Sequence, residues 1–192
     1  MSELFRAADH AVFFFINRTI SNPVFDWLMP FLTDLNKRPL ALIITALLLL
    51  WLMVKGKKTG RTAGILLILT IIVSDQLSST VIKQMFARLR PCHVLQGVRL
   101  LVDCGSGYSF PSSHAVNNFA AATVLSHYYR KYQWGWFSFA ALIAFTRPYV
   151  GVHYPSDVIG GAAIGWACAY GLIMGWEYVN RRYIEKDAEA GK

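Results

Sequence analysis

The chain alternates between long apolar runs and short polar stretches dense in charge. Pro39 to Val54 is almost wholly apolar, and Pro39 stands where a first helical turn tolerates proline. Ala63 to Ile82, Pro111 to Tyr129, Gly135 to Thr146 and Asp157 to Val179 are four further runs. Their length predicts helices, and several approach the roughly 20 residues needed to cross a bilayer. The run 39–54 is short for a hydrocarbon core of about 30 Å, so its flanks must contribute. Ahead of these, Ala11 to Ile16 is too short to span and has charges on both sides, which predicts an amphipathic helix in the membrane interface. Asn22-Pro23 breaks it, and Val24 to Leu35 forms a second short piece; the pattern leaves open whether either dips into the bilayer. The expected fold is an all-α, polytopic membrane helix bundle of about five to six spans. It is one integral membrane domain, 1–192, with 1–36 as an interfacial N-terminal region and 39–179 as the helical core.

Composition agrees with this class. The chain is 55% hydrophobic and only 16% charged, against about 25% charged in soluble domains. A net charge of +8 could suggest nucleic acid. The basic residues instead gather at the ends of apolar runs, at Lys55–Lys57–Lys58–Arg61, Arg130–Lys131 and Arg181–Arg182–Lys186. There they set membrane orientation, so no nucleic-acid partner is expected. No internal repeat or linker divides the chain, and charged residues precede the first apolar run, unlike a signal peptide.

The basic clusters follow the first, third and fifth runs, and one orientation puts all three in the cytoplasm. The same orientation brings three polar stretches together on the external face. In the first, Lys83 and Arg90 are seven residues apart, about two helical turns, so one helix face can carry both. Arg88 between them suits an interfacial anchor for acidic headgroups. The second is Phe110-Pro-Ser-Ser-His114, where Pro111 before an apolar run sets up a helix N-terminus able to bind an anion. Ser112 adds a hydroxyl there, and His114 a possible general acid; alone, the stretch is also an ordinary capping sequence. The third runs from Thr146 to Asp157 and holds Arg147, His153 and Asp157. Asp157 lies four residues after His153 across Pro155, within reach of its imidazole, and Arg147 offers a permanently charged fork. A re-entrant loop whose polar groups satisfy one another would use the same residues. Asp75, inside the second run, reads equally as a functional acid or as a structural partner of a basic residue, and is not assigned a catalytic role.

Taken together the three stretches are strongly cationic, so they call for an anion with several oxygens. One carboxylate is too few for a magnesium or two-metal site, and no Cys/His spacing suggests zinc. The chemistry that fits is metal-free phosphoryl transfer without a cofactor: His153 attacks, His114 protonates the leaving oxygen, and cations hold the rest.

Lys-x6-Arg-Pro, Pro-Ser-x-His and Arg-x5-His-x3-Asp, in this order, resemble the three-part signature of the type-2 phosphatidic acid phosphatase family, which includes vanadium haloperoxidases and glucose-6-phosphatase. The resemblance covers Lys83 to Asp157. It implies that His153 forms a phosphohistidine, that Asp157 orients it, and that His114 is general acid and then base. It implies that Lys83, Arg90, Ser112, Arg147 and the Ser113 backbone N–H hold the phosphate. Two positions depart from the family pattern, Ser113 where glycine is usual and Thr146 where serine is usual; neither removes a needed donor. The short chain is similar to the family's bacterial undecaprenyl-diphosphate phosphatases. That implies a lipid phosphate or diphosphate substrate and a bacterial inner membrane location, with the site on the external face. Phosphatidylglycerophosphate, phosphatidic acid and lipid A 1-phosphate stay open as substrates, as does a non-enzymatic anion- or lipid-binding role. Oligomeric state is not legible. In an oxidising compartment Cys92 and Cys104 can bond or remain free thiols.

Overall fold

A computed structural model describes residues 3–190. All the regular elements among these residues are helical: α1 (Glu3–Phe14), α2 (Pro23–Thr33), α3 (Pro39–Lys55), α4 (Lys57–Gln76), α5 (Lys83–Phe86), α6 (Pro91–Val94), α7 (Ser113–Tyr128), α8 (Gln133–Tyr149) and α9 (Pro155–Ala190). A π-helical stretch, Leu77–Ile82, joins α4 to α5 without a break. By length and composition two helices can cross a membrane, Lys57–Val94 and Pro155–Tyr183, and Pro39–Lys55 is a shorter apolar helix.

Helix α7 is the centre of the bundle, packed on α4, α8 and α9. Leu66, Ala120, Val124, Ala169 and Ile173 form the core between α4, α7 and α9. The α7–α9 approach is close because α9 presents Gly161 and Gly165 one turn apart. A Cβ on Gly165 would stand 2.1 Å from the Val116 carbonyl oxygen, and one on Gly161 would stand 2.8 Å from that of Ser112. Small residues at this spacing let two backbones pack where the lipid provides no hydrophobic drive.

Helix α5 with the segment that follows it, the C-terminal end of α8 and the N-terminal ends of α7 and α9 bear the three polar stretches. The opposite end carries the basic clusters: a Cβ on Gly60 would meet the Tyr129 hydroxyl at 3.4 Å, which places the start of α4 beside the end of α7.

Three local expectations change. Lys83 and Arg90 do not share a helix face: Ala87 takes a left-handed conformation (φ 42°) that ends α5, and Arg90 instead precedes α6. Pro111 is not the first helical residue of α7, which begins at Ser113 with Ser112 as its N-cap; Pro111 follows a cis peptide bond. Arg147 is not in a connecting loop. Helix α8 runs on through Thr146, Arg147 and Pro148, and only then turns, at Gly151. Glycine is required there twice over, by φ +92° and because a Cβ would meet the Arg99 carbonyl oxygen at 2.5 Å.

Candidate active site

His153 sits in the turn between α8 and α9, 2% exposed, and Asp157 sits in the first turn of α9, fully buried. The carboxylate Oδ2 is 3.6 Å from His153 Nδ1. Between them stands Ser109, whose hydroxyl is 3.4 Å from Nδ1 and donates to the same Asp157 oxygen. With its own proton directed at the carboxylate, Ser109 can accept only from an Nδ1–H, which leaves Nε2 unprotonated. Asp157 also accepts the Tyr154 backbone N–H at 2.9 Å, the reach-back of a helix's first-turn acid to its cap. Burial, opposed by the nearby Asp157 carboxylate, pulls the His153 imidazole down to a pKa of about 4, so at neutral pH it is uncharged.

The expected phosphate ligands gather around this pair. Ser112, 0% exposed, caps α7, and its hydroxyl has no hydrogen-bond partner among the described residues. Ser113 follows as the first residue of α7, where helix N–H groups are free of intrahelical partners. Arg147 is 7% exposed; its Nη1 donates to the Thr33 hydroxyl at 2.6 Å, while its buried Nε is likewise without a partner. Lys83 lies within electrostatic range of Arg90, Arg147 and Asp157, and His114 within range of Arg147 and His153. Arg90 donates Nε to the Gly107 carbonyl at 2.8 Å and Nη1 to that of Cys104. This latches the external loop, which a Cys92–Cys104 disulfide also closes. The bond expected as one of two alternatives is therefore present, and those sulfurs are not free as metal ligands.

His114 Nε2 is 3.0 Å from the Thr33 carbonyl oxygen. A carbonyl only accepts, so Nε2 carries a proton, and any proton that His114 passes to another group must travel by Nδ1. Every expected site residue is thus at one end of the bundle, with two buried donors unused and one neutral imidazole oriented by a carboxylate. That is the equipment for attack on an oxyanion-bearing centre.

Four residues of this arrangement escaped the sequence reading. Arg88 is not a headgroup anchor: it donates Nη1 to Asp157 at 2.7 Å and Nη2 to Asp9 at 2.6 Å, and lies over the Tyr154 ring at 3.9 Å. Asp9 therefore lies on the buried side of α1 together with Phe13, while Glu3 and Arg6 of the same helix stay exposed. Thr33 ends α2 and braces Arg147 and His114, while Ser109 bridges the His–Asp pair. Asp75 accepts from Asn117 at 2.9 Å, a structural partner on α7.

A family model described as the PAP2 superfamily matches residues 63–181. The lipid A 4'-phosphatase of Porphyromonas gingivalis is 32% identical over 123 residues, 61% of this chain and 52% of that protein. The undecaprenyl-diphosphatase of Sulfolobus acidocaldarius is 34% identical over 140 residues, 72% of this chain and 64% of that one. The chain thus spans about half to two thirds of the length of these relatives. Among solved structures, LpxE of Aquifex aeolicus superposes with a TM-score of 0.71 at 30% identity, covering 85% of this chain and 93% of its own. The transmembrane PAP2 type phosphatidylglycerolphosphate phosphatase from Bacillus subtilis also gives 0.71, at 25% identity over 93% and 89%. With the family model covering well over half of the sequence and these two folds matching nearly end to end, the chain belongs to the PAP2 superfamily.

Proposed function

We propose that this protein is a metal-independent membrane phosphatase that removes phosphate from a lipid phosphate or diphosphate through a phosphohistidine on His153. The observation that carries the reading is the pairing of a neutral, carboxylate-oriented His153 with the unpartnered buried donors of Ser112 and Arg147. His114 Nδ1 takes the proton of the bound phosphate monoanion; His153 Nε2 attacks phosphorus, the bond to the leaving oxygen breaks, and His114 Nδ1 passes that proton to the leaving oxygen. A water then loses a proton to His114 Nδ1 and attacks phosphorus, the phosphorus–nitrogen bond breaks, His114 returns the proton to the departing orthophosphate, and both imidazoles regain their starting state. Lys83, Arg90, Arg147, the Ser112 hydroxyl and the Ser113 N–H hold the equatorial oxygens, where a fixed cationic set stabilises charge most as it develops. Asp157, relayed by Ser109, keeps the nucleophile's tautomer and balances the cation formed on phosphorylation.

The whole chain acts as one integral membrane domain of five to six spans, with the site on the external face of a bacterial inner membrane. Undecaprenyl diphosphate is the preferred substrate, supported by a relative of that name matching 72% of this chain. Phosphatidylglycerophosphate, phosphatidic acid and lipid A phosphates are the competitors, since motifs select the phosphate and pocket walls the rest. Purified protein in detergent, given these lipids side by side with excess chelator, should release orthophosphate fastest from the diphosphate. Acid-quenched protein should carry phosphate on His153. No release from any of them would leave the non-enzymatic lipid-binding reading.

A further inference from the structure

We propose that Asp9, on the N-terminal helix and outside the segment matched to the family, is a positioning residue of the active site that acts through Arg88 on the His153–Asp157 pair. This rests on the phosphatase reading above and extends it to a helix that carries none of the motif residues.

Asp9 is 6% exposed, an unusual place for a carboxylate unless something holds it. One of its oxygens accepts the Ser156 backbone N–H at 3.0 Å, and the other accepts the Ser156 hydroxyl and Arg88 Nη2. Ser156 lies in the first turn of α9, so Asp9 caps from outside the very turn that carries Asp157. Arg88 spends its other fork on Asp157 Oδ1 and the Ser156 hydroxyl, each at 2.7 Å. Two buried carboxylates thus share one guanidinium, with side-chain exposures of 4% and 0% beside 13% for Arg88.

The sharing has a chemical consequence. If Arg88 served Asp157 alone, it would neutralise the carboxylate that must balance a cationic His153. Because Asp9 claims half of Arg88, the trio keeps one net negative charge next to the nucleophile. That charge faces a cationic field. His153 feels Asp157 on α9, Arg147 on α8, His114 on α7 and Arg90 before α6, while Lys83 at the start of α5 acts on Asp157. Within such a group of cations, the surplus negative charge supplied by Asp9 keeps the imidazole basic enough to attack.

The test is the pH dependence of kcat/KM for p-nitrophenyl phosphate, whose acid limb reports the free enzyme's base. Asp9→Asn keeps an acceptor for the Ser156 N–H but removes the charge, so the acid limb should move to lower pH by about half to one unit. Asp9→Glu should restore it toward wild type. Comparison on one substrate cancels the ionisation of the phosphate ester itself. A limb that superposes on wild type in Asp9→Asn overturns the inference. If Asp9→Asn does not fold, Asp9→Ser reads the same limb; failure of both neutral variants to fold, beside an active Asp9→Glu, also overturns it, because Asp9 then serves the fold alone. Wild-type protein that releases no phosphate overturns the phosphatase reading first, and the inference with it.

Discussion

Arg147 donates Nη1 to the hydroxyl of Thr33 at 2.6 Å, tying together residues 114 positions apart in the chain. Thr33 is 1% exposed and also takes a hydrogen bond from Thr146 at 2.9 Å, so its hydroxyl is a fixed stop for the guanidinium. With Nη1 anchored there, the buried Nε has no hydrogen-bond partner among the described residues, and the proposed role of the guanidinium is to donate its remaining N–H groups to a substrate oxygen.

Replacement of Thr33 by valine keeps the shape and the carbonyl that holds His114, and removes only this anchor. Loss of one hydrogen bond to a charged group is worth about 1.5 kcal/mol, so orthovanadate, a mimic of five-coordinate phosphorus, should inhibit roughly tenfold more weakly. Thr33→Ser should inhibit like wild type. Equal inhibition of the valine variant would show that Arg147 is held by its helix alone.

Much of this arrangement was visible in the sequence, and the division is instructive. The apolar runs located α3, α7 and α8 to within about three residues and found α4 and α9 with less exact ends, because burial in lipid demands long hydrophobic segments but does not fix where the helix stops beyond them. The His153–Asp157 pair was legible since four residues across a helix start is a local relation. Arg88 was misplaced because a basic residue just past an apolar run looks the same whether it anchors headgroups or neutralises acids from α1 and α9. Asp9, Thr33 and Ser109 were invisible for a related reason. Their contacts span 79, 114 and 44 residues, and no periodicity records which distant side chain will face them.

The Arg88 contacts make a stability prediction. Truncating Arg88 to alanine strands two buried carboxylates without a cation, which costs about 3–5 kcal/mol when one partner of a buried pair is removed. Arg88→Ala should therefore unfold at markedly lower denaturant in detergent micelles, and substituting Asp9→Asn in the same protein should recover part of the loss. A single Arg88→Ala variant as stable as wild type would mean that water reaches Asp157 freely.

The close approach of α7 and α9 sets the distance between the helix N-terminus bearing Ser112 and the turn bearing Asp157. Gly165→Ala would push a methyl group into the Val116 carbonyl, and overpacking of this kind costs about 1–3 kcal/mol. Gly171 lies on the same helix with nothing within 4 Å of its Cβ position, so Gly171→Ala should be neutral or slightly stabilising. Unfolding midpoints of the two variants check this, and equal midpoints would remove the packing argument.

The buried state of His153 predicts how stability follows pH. Its pKa falls from 6.5 in the unfolded chain to about 4 in the folded protein. The stabilisation from the neutral ring is thus complete above pH 6.5. Between 6.5 and 4 the unfolded state takes up a proton that the folded state refuses, so stability falls with falling pH throughout that window. At the full shift this amounts to about 3 kcal/mol. The other acid-sensitive groups remain in His153→Asn, which lacks only the ring, so its unfolding free energy should decline less steeply than wild type from pH 6.5 downward. The difference between the two curves should flatten above 6.5. Parallel curves across this range would mean that His153 is as free to take up a proton in the folded protein as in the unfolded chain.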